Sequence, residues 1–390
     1  MAPVNRRNFL KLSGLATLPA LIANPVMAMG TGYKQSPTGT PVIKFFGDGE
    51  MFEPTDYLNI LQQANAATDI VRDSYGAGGA VEALEKKFAE ITGKEKAVYM
   101  PSGTMANQLA IAVLSGENSK VFVQDTSHVY RDEADAAQSV FQKRLMPLAK
   151  DEPFFTAQHL QSAVEAIPSE EVFKTGVGAV SIENPVRRTG GRMVPIEELR
   201  KISTYCRTNN IKLHLDGARI YLASAWSGVS VKEYASLCDT IYISLYKYFG
   251  AAGGAVLCGD KAVIDKMPHL IKVHGGSMYG NWANAAMALH RLEGFETRLK
   301  NTVQKAQELF DALNKISGIT IKALPGGTNI YSFALSAKTN ATKMRDTLKT
   351  TYNIRIGGVN DKNEGFLSVN ETLLYQDNNY IINAFKKSME

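Results

Sequence analysis

Apolar residues recur along this chain in two rhythms that take turns. Over residues 81–91 they fall at Val81, Leu84, Phe88 and Ile91, one face of a helix. Residues 97–100 then form a short apolar run, followed by Pro101-Ser102-Gly103-Thr104 and a second helical stretch over 105–114. Further apolar runs stand at 121–123, 179–182, 213–215 and 241–244, with helical spacing between most of them, clearest over 195–207. Short apolar strands separated by helices predict an α/β fold, a mostly parallel sheet buried on both faces. Beyond Gly276 the rhythm changes. Residues 281–316 read as mostly helix, stopped at Ser317-Gly318. The remainder reads as strand (331–335), helix (343–352), strand (366–369) and helix (378–387). The pattern therefore predicts a large domain over 41–290, its N-terminal arm at 41–75. A connecting helix and a small C-terminal α+β domain follow over 291–390.

The first 28 residues follow neither rhythm. They carry Arg6, Arg7 and Lys11 with no acid, then an apolar stretch over 12–23, then Val26-Met27-Ala28. Charged, apolar and small-residue regions in that order mark an export signal. An apolar stretch of about a dozen residues is too short to span a bilayer, which needs about 20. Arg6-Arg7 ahead of Phe9-Leu10-Lys11 resembles a twin-arginine signal. That implies cleavage after Ala28, a linker over 29–40, the twin-arginine export machinery as a partner, and a periplasmic or exported protein. The signal also changes what the charge means. The 390 residues carry a formal +5, and losing the three cations leaves +2, which makes no electrostatic case for nucleic acid. At 45% apolar and 21% charged the chain is an ordinary globular protein. Cys206, Cys238 and Cys258 are too few and too scattered for a zinc site or a disulfide framework. No metal and no stable membrane association are expected.

Three stations along the large domain carry the candidate chemistry. At Pro101–Asn107 a glycine-containing turn opens a helix, where exposed N–H groups and the helix dipole favour an anion. At 213–219 an apolar strand ends in Asp216, with Arg219 three residues on; ligands of open α/β sheets bind at such strand ends. At 241–251 an apolar strand ends in Lys247 among aromatic and small residues. Desolvation there would lower the lysine's pKa and free its amine as a nucleophile toward a carbonyl. Taken singly, each has a plain structural reading: an N-cap, a loop-pinning ion pair, a solvated lysine. Together they are the three parts pyridoxal phosphate requires: an anion cradle, an acid for its ring nitrogen and an amine for its aldehyde.

The order of these parts, with 31 residues from Asp216 to Lys247, resembles the fold type I pyridoxal phosphate enzymes. Within them the chain is similar to the threonine aldolases and aromatic amino acid β-eliminating lyases. The likeness runs through Tyr75-Gly76, Pro101 to Ala110, Glu183-Asn184, Gly190-Gly191, His214 to Arg219, Lys247, Gly275-Gly276 and Thr328-Asn329. The resemblance implies that Lys247 binds the cofactor and transfers protons, and that Asp216 keeps its pyridine nitrogen protonated. Ser102, Gly103 and Thr104 hold the phosphate. His128 stacks over the ring and can act as a base. Arg219 faces the cofactor's phenolic oxygen and the substrate carboxylate, and Tyr75 lines the site near a subunit boundary. The implied reaction breaks Cα–Cβ of a β-hydroxy amino acid to give glycine and an aldehyde, in a homodimer or tetramer. β-Elimination on another amine, or a cofactor-binding scaffold without turnover, are the alternatives.

Departures from the family pattern fall on substrate recognition. Gly47-Asp48 stands where a Ser-Asp pair is expected, Pro185-Val186-Arg187 where Thr-His-Asn follows Glu-Asn, and Tyr279-Gly280 where Arg-Gln follows Met278. In the stretch 365–371, Leu367 sits about where the family has the arginine that clamps the amino-acid carboxylate. Arg187, and with it Arg188 or Arg355, is the expected replacement.

Overall fold

The computed structural model describes residues 41–172 and 175–390. The export signal at 1–28 and the linker at 29–40 lie outside the described residues. Among the described residues no helix is long and apolar enough to cross a membrane.

In chain order the strands are β1 (Ile43–Phe45), β2 (Lys96–Met100), β3 (Lys120–Gln124), β4 (Arg144–Leu148), β5 (Val177–Glu183) and β6 (Lys212–Asp216). They continue as β7 (Thr240–Ser244), β8 (Ala255–Gly259), β9 (Ile319–Ala323), β10 (Ile330–Leu335), β11 (Ile354–Ile356) and β12 (Glu364–Ser368). Seven of them form the main sheet in the order β2-β8-β7-β6-β5-β3-β4. All its neighbours pair in parallel except those of β8, which runs against both β2 and β7. β3 and β7 are buried at every residue because helices cover both faces of the sheet. The helix Gly79–Thr92 lays Val81, Leu84 and Phe88 on the sheet, the face its spacing predicted. The helix Ile196–Thr208 does the same with Leu199, Ile202 and Cys206.

Two strands of the main sheet were not legible from spacing. β4 lies at the sheet edge and carries Arg144 and Pro147; β8 is only five residues after a glycine cluster. The long helical stretch over 281–316 is two helices, Trp282–Leu292 and Phe295–Leu313, broken at Gly294, whose φ of +65° a helix cannot hold.

The C-terminal part gathers β9, β10 and β12 into an antiparallel sheet in the order β12-β10-β9. β1, from near the start of the described chain, pairs in parallel with β11, and its Ile43 and Phe45 join the C-terminal apolar cluster. From there the chain runs directly to the ends of the large sheet. Gly49 passes so close to the Lys247 loop that a Cβ on it would lie 2.9 Å from the Lys247 carbonyl oxygen.

Candidate active site

β2, β3, β5, β6 and β7 all point their carboxyl ends the same way, and the loops there converge. The helix Gly103–Ser115 starts just past β2. Its N-cap Ser102 accepts a hydrogen bond from the Met105 N–H (3.2 Å), and Ala106 N–H bonds the Ser102 carbonyl. The N–H groups of Gly103 and Thr104 keep no helix partner, at the positive end of the helix dipole. Gly103 is required by space, since a Cβ there would lie 2.1 Å from the Tyr242 hydroxyl.

β6 ends on Asp216, which is 3% exposed. One carboxylate oxygen accepts from Asn107 Nδ2 (2.9 Å) and the other from the Ala218 N–H (3.1 Å). Arg219 donates from Nε to Asp48 (2.8 Å). Burial opposes its charge, yet Asp48 and Glu183 beside it outweigh that and raise its pKa. Lys247 follows β7 on an aromatic floor. Tyr221, Tyr248, Phe249 and Phe295 pack there with ring centroids 4.8 to 5.7 Å apart. Among the described residues the Lys247 amine makes no hydrogen bond or ion pair; the Tyr246 ring lies 5.7 Å away. Burial lowers its pKa to about 8, with Arg219 adding to the shift and Asp216 opposing it.

His128 opens the short helix His128–Arg131 after β3. Its N–H donates to Glu183 (2.7 Å) and its ring Nδ1 lies 3.0 Å from Glu133 Oε1. A carboxylate only accepts, so Nδ1 carries the proton and Nε2 is left as the ring's free nitrogen. The Glu133 hydrogen bond raises the His128 pKa against the effect of burial, and the Asp216 charge adds to it. Glu183, fully inside at the end of β5, has its pKa raised to about 7 by burial and by Asp216.

Asn107 ties these groups together. Its amide hydrogens go to Glu133 (2.8 Å) and Asp216 (2.9 Å), and its oxygen bonds His214 Nε2 (2.9 Å). Burial drops the His214 pKa to about 4, so that ring is neutral and its Nδ1 accepts from the Thr240 hydroxyl (2.8 Å). His128, Glu133 and Asp216 bring oxygen and nitrogen atoms within 4.8 Å of one another, a spacing a metal could use. The Asn107 amide and the imidazole N–H already account for that convergence.

The structure thus brings Ser102, Gly103, Thr104, His128, Asp216, Arg219 and Lys247 around one cavity of about 240 Å³. Other expected residues lie elsewhere. Arg187 and Arg188 stand beside this cavity rather than in its wall, both facing Asp132. Tyr75, at φ +53°, packs on Tyr279 (5.4 Å between rings) and lines a separate pocket with Gly276 and Met278. Arg355 lines another, with Arg345 and Asp346, which shares no residue with the Lys247 cavity. Leu367 is wholly buried in the C-terminal core opposite Tyr331. Strand alternation makes Phe366 and Ser368 the cleft-facing positions of β12, and neither is cationic. Sequence reasoning missed Glu133 and the part played by Asn107. Glu133 stands among Arg131, Asp132 and Asp135, where nothing distinguishes a buried acid from a solvated one.

The donor set fits pyridoxal phosphate. A half-buried amine with no hydrogen-bond or ion-pair partner among the described residues shares a cavity with a strand-end carboxylate, and a helix start that tolerates only glycine supplies the anion cradle. An α/β sheet bearing these groups at its strand ends defines the class as a fold type I pyridoxal phosphate enzyme. The beta-eliminating lyase family matches residues 54–334, and the chain belongs to that family. It is 32% identical over 278 residues to a low-specificity L-threonine aldolase from Candida albicans, covering 70% of this chain and 73% of that protein. A structure from Exiguobacterium sp. 255-15, designated an aromatic amino acid beta-eliminating lyase/threonine aldolase, superposes with a TM-score of 0.75. It is 24% identical over 90% of this chain and 97% of its own. A serine palmitoyltransferase from S. paucimobilis solved with bound PLP shares the fold at a TM-score of 0.62. There the identity is 13%, with 89% and 86% of the two chains covered.

Proposed function

We propose that this protein is a pyridoxal-phosphate-dependent carbon–carbon lyase, similar to threonine aldolase, that cleaves a β-hydroxy amino acid to glycine and an aldehyde. The observation that carries the reading is Lys247, half-buried and without a hydrogen-bond or ion-pair partner among the described residues, sharing one cavity with Asp216 and His128. Held there, pyridoxal phosphate supplies the electron sink for a bond broken at an amino acid's Cα. The chain supplies the rest. Lys247, with a pKa near 8, offers a substantial neutral fraction as nucleophile and proton carrier. Asp216 keeps the ring nitrogen's proton in place, itself held by Asn107 and the Ala218 N–H. His128 presents Nε2 to take the proton of the substrate's β-hydroxyl, because Glu133 fixes Nδ1 as the donor. Arg219, held by Asp48, would face the phenolic oxygen and the substrate carboxylate, and Arg187, beside the cavity and paired to Asp132 only at 3.7 Å, would turn in to share that carboxylate. Export by the twin-arginine route and assembly into a dimer or tetramer belong to the same reading. Both rest on sequence resemblance.

The same floor supports β-elimination, and the lack of a cation on the cleft face of β12 favours keeping that second reading. Product analysis separates them. The holoenzyme is screened with β-hydroxy amino acids for glycine and aldehyde, and with β-substituted ones for oxo acid and ammonia. Lys247→Ala should remove both the cofactor's visible absorption band and all turnover. A band that survives this substitution refutes the site assignment.

A further inference from the structure

The hairpin after β5 carries more positive charge than one substrate carboxylate needs. Val186 and Arg192 pair across it, and Gly190 and Gly191, both with φ near +75°, turn it (+75° and +73°). It is pinned on its far side: the Thr328 hydroxyl (2.8 Å) and N–H (3.1 Å) both donate to the Gly191 carbonyl, and Met193 N–H to that of Gly326 (2.8 Å). The hairpin is therefore fixed between the large sheet and the C-terminal strands. It borders a cleft of about 960 Å³ that also holds Arg131, with Phe366 and Ser368 of β12 among the other walls.

Of the four guanidiniums in this cleft, two are committed. Arg131 bonds both the carbonyl and the carboxylate of Asp125, and Arg188 grips both oxygens of Asp132. Arg187 reaches Asp132 only at 3.7 Å. Arg192 makes no side-chain hydrogen bond or ion pair among the described residues, and its Nε is buried without a partner. The cleft shares no residue with the reaction cavity and adjoins it at Arg187, whose N–H bonds Glu183 (2.9 Å) in that cavity's wall. If Arg187 takes the α-carboxylate, one cation is left over.

We propose that Arg192 binds a second carboxylate on the substrate, so that the preferred substrate is a β-hydroxy amino acid with an acidic side chain. One spare cation matches one negative charge, and a phosphate dianion would leave a charge unbalanced. A guanidinium fork meets a carboxylate in a bidentate pair, with the Ser368 hydroxyl in the same wall to complete it. The inference rests on the lyase reading. For 3-hydroxyaspartate, the Cα–Cβ bond breaks, the hydroxyl proton leaves to His128, and Cα gains a proton. The products are glyoxylate and glycine.

The test compares 3-hydroxyaspartate with threonine on the holoenzyme, Arg192→Leu and Arg192→Lys, with 3-hydroxyaspartate binding followed by calorimetry. The wild type should have the higher kcat/KM on 3-hydroxyaspartate. Arg192→Leu should cut the ratio of the two values about ten- to a hundredfold, the scale for losing a hydrogen bond to a charge. Arg192→Lys should restore part of it. A ratio is indifferent to how much of a variant folds. No preference in the wild type, or equal losses on both substrates, overturns the proposal and leaves the lyase reading intact. Arg192-dependent binding of 3-hydroxyaspartate without cleavage of either compound keeps the acidic ligand and overturns the lyase reading instead.

Discussion

At the strand ends, Asp216, Glu133, Asn107 and His214 lie within a few hydrogen bonds of one another, each nearly inaccessible and each hydrogen-bonded within the set. A few residues past Glu183, on the 186–192 hairpin, Arg187 and Arg188 are about half exposed, and Arg192 Nε has no hydrogen-bond partner among the described residues. On the proposed function the first region is the cofactor floor and the second the substrate rim. Buried polar groups leave no room for a change that does not also strand a partner, whereas an exposed guanidinium can be gained, lost or moved at little cost. Of the departures from the family pattern, Pro185-Val186-Arg187 falls on the rim, whereas Asp48 holds Arg219 and Leu367 is in the C-terminal core. A floor that also fixes the chemistry predicts kcat effects, and a rim that only selects predicts KM effects.

The sharpest attack on that contrast is Asp216→Asn, which keeps shape and one acceptor but removes the charge that would hold the cofactor's ring nitrogen protonated. A drop in kcat of about 10²- to 10³-fold is expected, the scale for losing one preorganised electrostatic group. The visible band should stay, since Lys247 is untouched. A variant that loses activity only through KM would place Asp216 with the rim and dissolve the distinction.

Much of the floor was legible because its motifs are local. Asp216, Arg219, Lys247 and the Ser102-Gly103-Thr104 turn each announce a strand end within a few residues. Glu133 and Asn107 were not, because what makes them matter is a meeting between residues 26 and 109 positions apart. No periodicity encodes such a meeting. Similarly, β4 and β8 carry little spacing signal of their own and are defined by their neighbours in the sheet. On the rim, Leu367 drew attention by its place along the chain. A shift of one residue along a strand exchanges core for cleft, and the cleft-facing positions are Phe366 and Ser368.

Glu133→Gln tests whether the floor's unannounced members act on the chemistry. Glu133 holds the His128 pKa above the ordinary imidazole value, and a base works only when deprotonated, so wild-type activity should rise with pH above that value. Glutamine removes the cause of the upward shift. The rise should move to lower pH, while the plateau falls about ten- to a hundredfold, the scale for removing a carboxylate behind a working histidine. A purely packing role for Glu133 would lower the plateau and leave the midpoint of the pH profile where it was.

Arg187→Leu is the mildest of the three and bears on the rim alone. The guanidinium is 55% exposed and 3.7 Å from Asp132, its one ion-pair partner among the described residues, so solvent already screens it and little stability should change. If it receives the α-carboxylate, KM should rise about tenfold or less with kcat nearly held, because the contact is equally present before and during bond cleavage. Its pH profile should match the wild type, since His128 and Glu133 are undisturbed. A fall in kcat without a rise in KM would mean that Arg187 acts through the Glu183 carboxylate its own N–H touches, and the rim would then begin one residue farther out, at Arg188.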